Sequence, residues 1–261
     1  FGIGDPKFVP DLVKFQLTPV VSDWRQLENL EKLAPSGYPV HLKFDTGMHR
    51  LGFSASEAEK LKDHFQMKSK LKLKALLTHL HTGEDANILS GKSFEQLKLF
   101  RIIEGYFKEF NLVYHALNSA SFLNLAQSPE LLRSPMINSN LGVRPGLAIY
   151  GISPVDGQDF GLKPVMSLRS KIIKIHFIRS GEGVSYNHTW KSNRDSVIGV
   201  VPIGYADGYL RHLSNKTKVL VGEELASQVG NVCMDYIMVD ITDILKTRKI
   251  EDILKMEVTL F

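Results

Sequence analysis

Val40–Phe53, VHLKFDTGMHRLGF, decides how the rest of the chain is read. Val40, Leu42 and Phe44 alternate with His41, Lys43 and Asp45, the period-two pattern of a strand with one buried face. The strand runs into a glycine-bearing loop in which Arg50 precedes an apolar Leu51-Gly52-Phe53. A strand ending on Lys, Asp and Arg fits the mouth of a parallel α/β sheet, where strand bodies pack and strand ends carry chemistry. Such a mouth suits an anionic ligand, because a guanidinium grips a carboxylate or phosphate through two parallel hydrogen bonds.

Working outward, strand-like and helix-like stretches alternate. Phe15–Val21 reads as a strand. A helix follows from an N-cap at Ser22, with Trp24, Leu27, Leu30 and Leu33 at helical spacing. Ser54 and Glu57 form a capping box ahead of the next helix. Leu73–Leu80 reads as a strand, Ser93–Phe110 as a long amphipathic helix and residues 112–118 as a strand. SASFLNLA is then a short helix, and residues 143–151, VRPGLAIYG, a further strand. Repeated β–α units predict parallel strands with right-handed crossovers, and about five units are present, fewer than the eight of a closed barrel. The Lys-rich run 60–74 interleaves with Leu61, Phe65, Met67, Leu71 and Leu73, so it reads as a solvated helix face running into a strand, not as a polyanion site. After Pro154 the runs become β-rich with turns between them. The chain therefore divides into a partial (β/α)8 TIM-like barrel, residues 1–154, and a mostly antiparallel β domain, residues 155–261.

The 261 residues are 43% hydrophobic and 23% charged, an ordinary globular composition. A formal charge of +4 is modest for this length and does not imply nucleic acid. Cys233 is the only cysteine, which excludes an intrachain disulfide and a cysteine-based metal site. No apolar run reaches the length of a membrane span and no signal peptide is visible, so a cytoplasmic protein without membrane partners is expected. The chain starts FGIGDP, without Met, and ends VTLF, as a cut pattern does.

Five stretches could carry chemistry. They are Lys43/Asp45/Arg50; Thr78-His79 at a strand end; His115–Ser119, with Asn118 and Ser119 at a strand-to-helix junction suited to phosphate; Arg144-Pro145-Gly146; and, in the β domain, Val184-Ser185-Tyr186 with Gly204–Tyr209. Each has a plain alternative: a strand-end His is commonly structural, an Arg-Pro-Gly is commonly just a turn, and GYADG is a hairpin with a packed Tyr. Their joint occurrence at successive strand ends argues for a site.

Together, DTGMHRLG, LLTHLH, NSAS, VRPGLAIYG, GVSY, GYADGY and VCMD stand in the order found in alanine racemases, the fold-type III pyridoxal-phosphate enzymes, and nearly the whole chain resembles that family. GYADGY and VSY separate it from related decarboxylases and from one-domain pyridoxal-phosphate carriers. The resemblance implies an isomerase that interconverts L- and D-alanine for peptidoglycan, as a homodimer sharing its active sites. It implies Arg144 facing the pyridine nitrogen of pyridoxal 5'-phosphate, with His79 beside the ring and reaching toward Arg144. Asn118, Ser119 and the backbone of Gly146 and Leu147 would complete the ring and phosphate pocket. Arg50 would hold the substrate carboxylate and the ring's phenolic oxygen, oriented by Lys43, which matches a lysine carbamylated in many members. Tyr186 would be the catalytic acid/base on one face of the substrate, and it arrives from the partner subunit in the family, as do the residues matched by Met234 and Asp235. Tyr205 would line the entrance.

The chain departs from the family at two points, and at the first the motif holding the lysine that carries the cofactor is not found. Lys14, in LVKFQLTP, is the only early strand-like lysine and lacks the following Tyr and Gly-His. The family's late phosphate-binding tyrosine is also not found. The resemblance thus covers the middle of a racemase, and a polypeptide of these residues alone is expected not to racemise alanine, because each face of the substrate needs a base. The alternatives are a serine, lysine or broad-specificity racemase, and a non-catalytic binding or dimerising module.

Overall fold

The computed structural model describes residues 5–85, 90–128, 130, 133 and 141–261, so Phe1–Gly4 of the FGIGDP start lie outside the described residues. The chain forms two compact units, Phe1–Pro164 and Val165–Phe261.

Among the described residues of the first unit five parallel strands lie in sequence order: β1 (Val20–Val21), β2 (Pro39–Lys43), β3 (Lys72–Leu77), β4 (Val113–Leu117) and β5 (Leu141–Val143). Between them run α2 (Trp24–Leu33), α3 (Ala58–Met67), α4 (Lys92–Tyr106) and α5 (Ser119–Ala126), with α1 (Val9–Lys14) ahead of β1. The alternation in the opening stretch does what the sequence predicts. Val40, Leu42 and Phe44 are each 0% exposed and pack with Leu27, Leu30, Leu61 and Phe107 in one core. Each such side chain contributes about 1.5–3 kcal/mol of burial free energy. His41 and Lys43 take the opposite face. The capping box forms as expected, with the Ser54 N–H donating to Glu57 (2.7 Å) and the Ser56 N–H to Ser54 Oγ (3.3 Å). Residues 60–74 are indeed a helix face leading to a strand, with Leu61, Leu71 and Leu73 buried.

Three expectations are corrected. The strand placed at Phe15–Val21 shrinks to Val20–Val21: Gln16 takes a left-handed φ of 53° and Pro19 has no N–H for a ladder. The helix cap is Asp23, not Ser22. Asp23 Oδ1 accepts from the Gln26 N–H at 2.8 Å, while the Ser22 N–H and hydroxyl both turn to Gln26 Oε1. The strand placed at 143–151 ends at Val143, and Leu147–Tyr150 form a 3-10 turn, because Pro145 cannot donate to a ladder.

The second unit is a seven-stranded antiparallel sheet. Its strands are β6 (Arg169–Lys171), β7 (Lys174–Ile178), β10 (Ser196–Val201), β11 (Lys218–Val221), β12 (Glu224–Gln228), β13 (Ile237–Asp240) and β14 (Glu257–Thr259), in the order β6-β14-β11-β12-β13-β10-β7. A small hairpin joins β8 (Gly183–Val184) to β9 (Trp190–Lys191). Val201, Val219, Ile237, Val239 and Val258 build the core, closed by Ile253 of α6 (Ile250–Ile253).

Candidate active site

The loop after β2 is shaped by Asp45. Its carboxylate accepts the N–H groups of Gly47 (2.9 Å), His49 (3.0 Å) and Arg50 (3.0 Å), so it faces its own loop and not a ligand. Burial pushes the Asp45 carboxyl up, but these three bonds outweigh it and hold the group below its ordinary value. The Asp45 N–H donates to Phe53 O (2.9 Å) and the Phe53 N–H to Lys43 O (2.8 Å), closing the loop on the strand. Only glycine fits at Gly52, where φ is +139° and a Cβ would stand 2.4 Å from Asp45 N.

Lys43, Arg50, His79 and Arg144, with Val20, Ser22, Leu51 and Leu77, line one cleft of about 240 Å³ at the carboxyl ends of the parallel strands. No carboxylate stands among these lining residues. Burial, then Arg50 and Arg144, lowers Lys43 against an opposing pull from Asp45. Burial, then Arg144, also lowers His79. The Arg144 guanidinium is lowered by burial to about 10, so it stays a cation at neutral pH. Its Nη2 donates to the carbonyl of Thr78, not to the His79 imidazole, and its Nη1 is buried with no partner among the described residues.

Beside this cleft the phosphate-type residues come together. Ser119 Oγ accepts from the N–H of Gly146 (2.7 Å) and of Ala148 (3.3 Å). A Cβ on Gly146 would meet nothing within 4 Å, and Leu147 is half exposed. The Asn118 side chain is committed locally: it caps α5 through Ser121 N (3.1 Å) and donates to Leu80 O (3.3 Å). Lys14 ends helix α1 with its Nζ over the Phe15 ring and lines no part of the cleft, so it is not on a strand as read from sequence.

Several supporting residues escaped sequence reading. Gln96, 2% exposed on α4, accepts from the His81 N–H (2.9 Å) and donates to His79 O (3.1 Å), fixing the loop after β3. A Gln on the apolar stripe of Leu97 and Phe100 was the available signal. His41 and His115 stack with ring centroids 5.8 Å apart. Burial, then His115 and Arg144, lowers His41 to about 4. Gly142 admits the His115 ring, since a Cβ there would lie 2.4 Å from Nδ1.

In the second unit Tyr186, Tyr205 and Met234 are 65%, 47% and 55% exposed. The loop through Gly230–Tyr236 joins them: the Tyr205 N–H donates to Cys233 O (3.0 Å), the Ala206 N–H to Met234 O (3.0 Å), and the Ser185 hydroxyl to Asn231 O (2.7 Å). Asp235 sits on the same loop, exposed. Tyr186 lines a cavity of about 450 Å³ with His176, Ser185, Cys233, Tyr236 and Met238; Tyr205, Met234 and Asp235 lie outside its lining.

Residues 1–154 match the family model "Alanine racemase, N-terminal domain" and residues 165–261 match "Alanine racemase, C-terminal domain". An alanine racemase of Sorangium cellulosum (strain So ce56) is 42% identical over 241 residues, which cover 90% of this chain and 60% of the relative. One from Clostridium novyi (strain NT) is 37% identical over 254 residues, covering 93% and 62%. Among solved structures, alanine racemase of Clostridium difficile 630 superposes with a TM-score of 0.82 at 28% identity, covering 100% of this chain and 66% of that one. The enzyme from Bartonella henselae, solved with covalently bound pyridoxal phosphate, gives 0.77 at 28%, covering 98% and 67%. The chain spans about 60% of the length of the curated relatives it matches. With both units matched in order, the chain belongs to the alanine racemase family.

Proposed function

We propose that these residues serve an enzyme that interconverts L- and D-alanine with pyridoxal 5'-phosphate, and that residues 1–261, in which the cofactor-carrying lysine is not found, hold the cofactor without racemising by themselves. The observation that carries the reading is the cleft at the strand ends, where Lys43, Arg50 and Arg144 converge and where, among the described residues, no carboxylate lines the cleft and the buried Arg144 Nη1 has no acceptor. A buried, unpaired donor of fixed charge fits an acceptor such as a pyridine nitrogen. When bound, the cofactor supplies the electron-withdrawing ring that acidifies the substrate α-carbon.

Arg144 would face the ring nitrogen and keep it unprotonated by its charge. His79 would pack beside the ring. Ser119, with the backbone of Gly146 and Leu147, would hold the phosphate, and Asn118 would fix the start of α5 behind it. Arg50 would bind the substrate carboxylate and the ring's phenolic oxygen. Lys43, lowered by burial and by its two arginine neighbours, is suited to add carbon dioxide as a carbamate, turning a third cation into the anion that orients Arg50. The Tyr186 phenolic oxygen would take or return the α-proton on one face. Met234, Asp235 and Tyr205 would bound the substrate. The exposure of Tyr186 and Met234 supports a homodimer in which these residues serve the partner's site. A cytoplasmic location belongs to the same proposal.

The test is a titration of the purified protein with pyridoxal phosphate, followed by absorbance, and a chiral assay of product from L-alanine, L-serine and L-lysine. Residues 1–261 alone are expected to bind the cofactor at micromolar concentration without turnover, and D-alanine is expected as the fastest product only where the cofactor-carrying lysine is also present. A serine or lysine preference replaces the substrate, and no cofactor binding overturns the reading.

A further inference from the structure

Among the described residues six non-glycine positions have positive φ, and four belong to one construction around Tyr186: Ser185 (65°), Asn187 (59°), His188 (42°) and Asn215 (61°). Left-handed backbone is disfavoured for residues with a Cβ and persists only where the surroundings over-determine it. The surroundings do so here. The Ser185 hydroxyl donates to Asn231 O (2.7 Å), and Asn231 Nδ2 donates to the Tyr186 carbonyl (2.9 Å). Asn215 ties the two arms together. Its Oδ1 accepts the Gly230 N–H (2.6 Å), its Nδ2 donates to Thr189 Oγ1 (3.1 Å), and its own N–H donates to Gln228 Oε1 (2.7 Å). Two glycines make the fit possible. A Cβ on Gly230 would lie 2.6 Å from Val184 O, and one on Gly183 2.3 Å from the His188 ring. Tyr186, held by this clamp, is itself 65% exposed, so its burial does not account for the strain.

We propose that Asn231 and Asn215 are positioning residues for Tyr186: they hold the strained segment 185–188 so that the phenolic oxygen is presented in one orientation. The proposal rests on the reading of Tyr186 as the group that carries the α-proton. Asn231 acts through the Tyr186 backbone and Asn215 through Gly230 and Thr189 on either side of it. Neither side chain needs to touch substrate.

Two variants isolate the effect. Asn231→Asp keeps the shape but replaces the donor to the Tyr186 carbonyl with an acceptor. Asn215→Gly keeps a residue that accepts positive φ but deletes the amide. In the active protein both are expected to lower kcat for alanine at least tenfold while KM stays within twofold. Deuterium at the substrate α-carbon should give a larger isotope effect in the direction where Tyr186 takes the proton, and an unchanged one in the other. With tyrosine labelled at the ring ζ-carbon, the Tyr186 resonance, assigned by its loss in Tyr186→Phe, should broaden or split in both variants. A space-filling Asn231 would leave Asn231→Asp unaltered. Both variants within twofold of the parent kcat with one sharp Tyr186 resonance overturn the proposal. If Tyr186→Phe retains parental activity, the proton-carrying reading falls, and the resonance alone decides the clamp: broadening supports it and a sharp line refutes it.

Discussion

Asp45→Ala tests whether the loop that aims Arg50 is held from within. Three backbone N–H bonds end on this one carboxylate, at 2.9, 3.0 and 3.0 Å. Bonds to a charged acceptor are individually strong, but the loop is partly exposed, so about 1 kcal/mol net for each is appropriate and the loss totals roughly 2–3 kcal/mol. At 1.4 kcal/mol per factor of ten, local opening of the loop rises on the order of 30- to 150-fold. Hydrogen exchange of the Gly47, His49 and Arg50 amides reads this directly, with Leu42 and Leu76 as core references. The pH dependence has a defined sign. Because the folded carboxyl lies below its ordinary value, its contribution is complete above about pH 4, where the unfolded Asp is ionised. It is lost as pH falls through the depressed folded value, so parent and variant stabilities converge in acid. Exchange at the three amides within twofold of the parent would show that Asp45 does not organise the loop. Under the proposed function the same variant should raise KM for alanine, since the loop that Asp45 holds carries Arg50.

Gly52→Ala should destabilise the first unit by more than about 3 kcal/mol, because the added Cβ falls 2.4 Å from Asp45 N at a φ of +139°, and the thermal midpoint reports it. His41→Phe keeps a ring against His115 but removes a titrating group. His41 binds its proton only near pH 4 when folded, so stability is complete above about pH 6.5 and falls below it. For a half-buried group that loss is about 1–2 kcal/mol, and denaturant unfolding at pH 7 and pH 4.5 should show it reduced in the variant. Arg144→Met removes the bond to the Thr78 carbonyl together with the cation, and should weaken pyridoxal phosphate binding at least tenfold in a fluorescence titration.

What sequence carried was local and periodic. The alternation through Val40–Phe44 predicts both the strand and the face it buries, and Ser54 with Glu57 predicts a cap that forms as written. Expectations failed where one residue's backbone chemistry overrode an apolar run, as at Pro19 and Pro145. The direction of side chains was also hidden. Asp45 stands beside Lys43 and Arg50 in the sequence, yet its carboxylate turns into its own loop, because three nearby N–H groups offer more than solvent does. The supports of the site were least legible. Asn215, Asn231 and Gln96 act on partners far along the chain: 17 residues separate Gln96 from His79, 26 separate Asn215 from Thr189 and 45 separate Asn231 from Tyr186. No periodicity encodes such pairs, and a polar residue in an apolar stripe is the only mark that Gln96 leaves.

The two charged features of the first unit have opposite energetic logic. Asp45 is a carboxylate saturated by its own backbone, so it strengthens the fold by being where it is. Arg144 is a partly buried cation with one donor spent on Thr78 and a buried Nη1 without an acceptor among the described residues, and the described lining of its cleft adds Lys43 and Arg50 with no carboxylate. An unmet buried donor costs about 1–3 kcal/mol, and like charges at close range add to it. A fold selected for stability alone would remove that cost with one carboxylate, and Asp45 stands close enough in sequence to have been the source. Its diversion into the loop keeps the cleft cationic. Under the proposed function the cleft takes a ligand that brings the negative charge and the acceptor with it. Occupancy should then stabilise this unit by an amount that grows with the logarithm of ligand concentration.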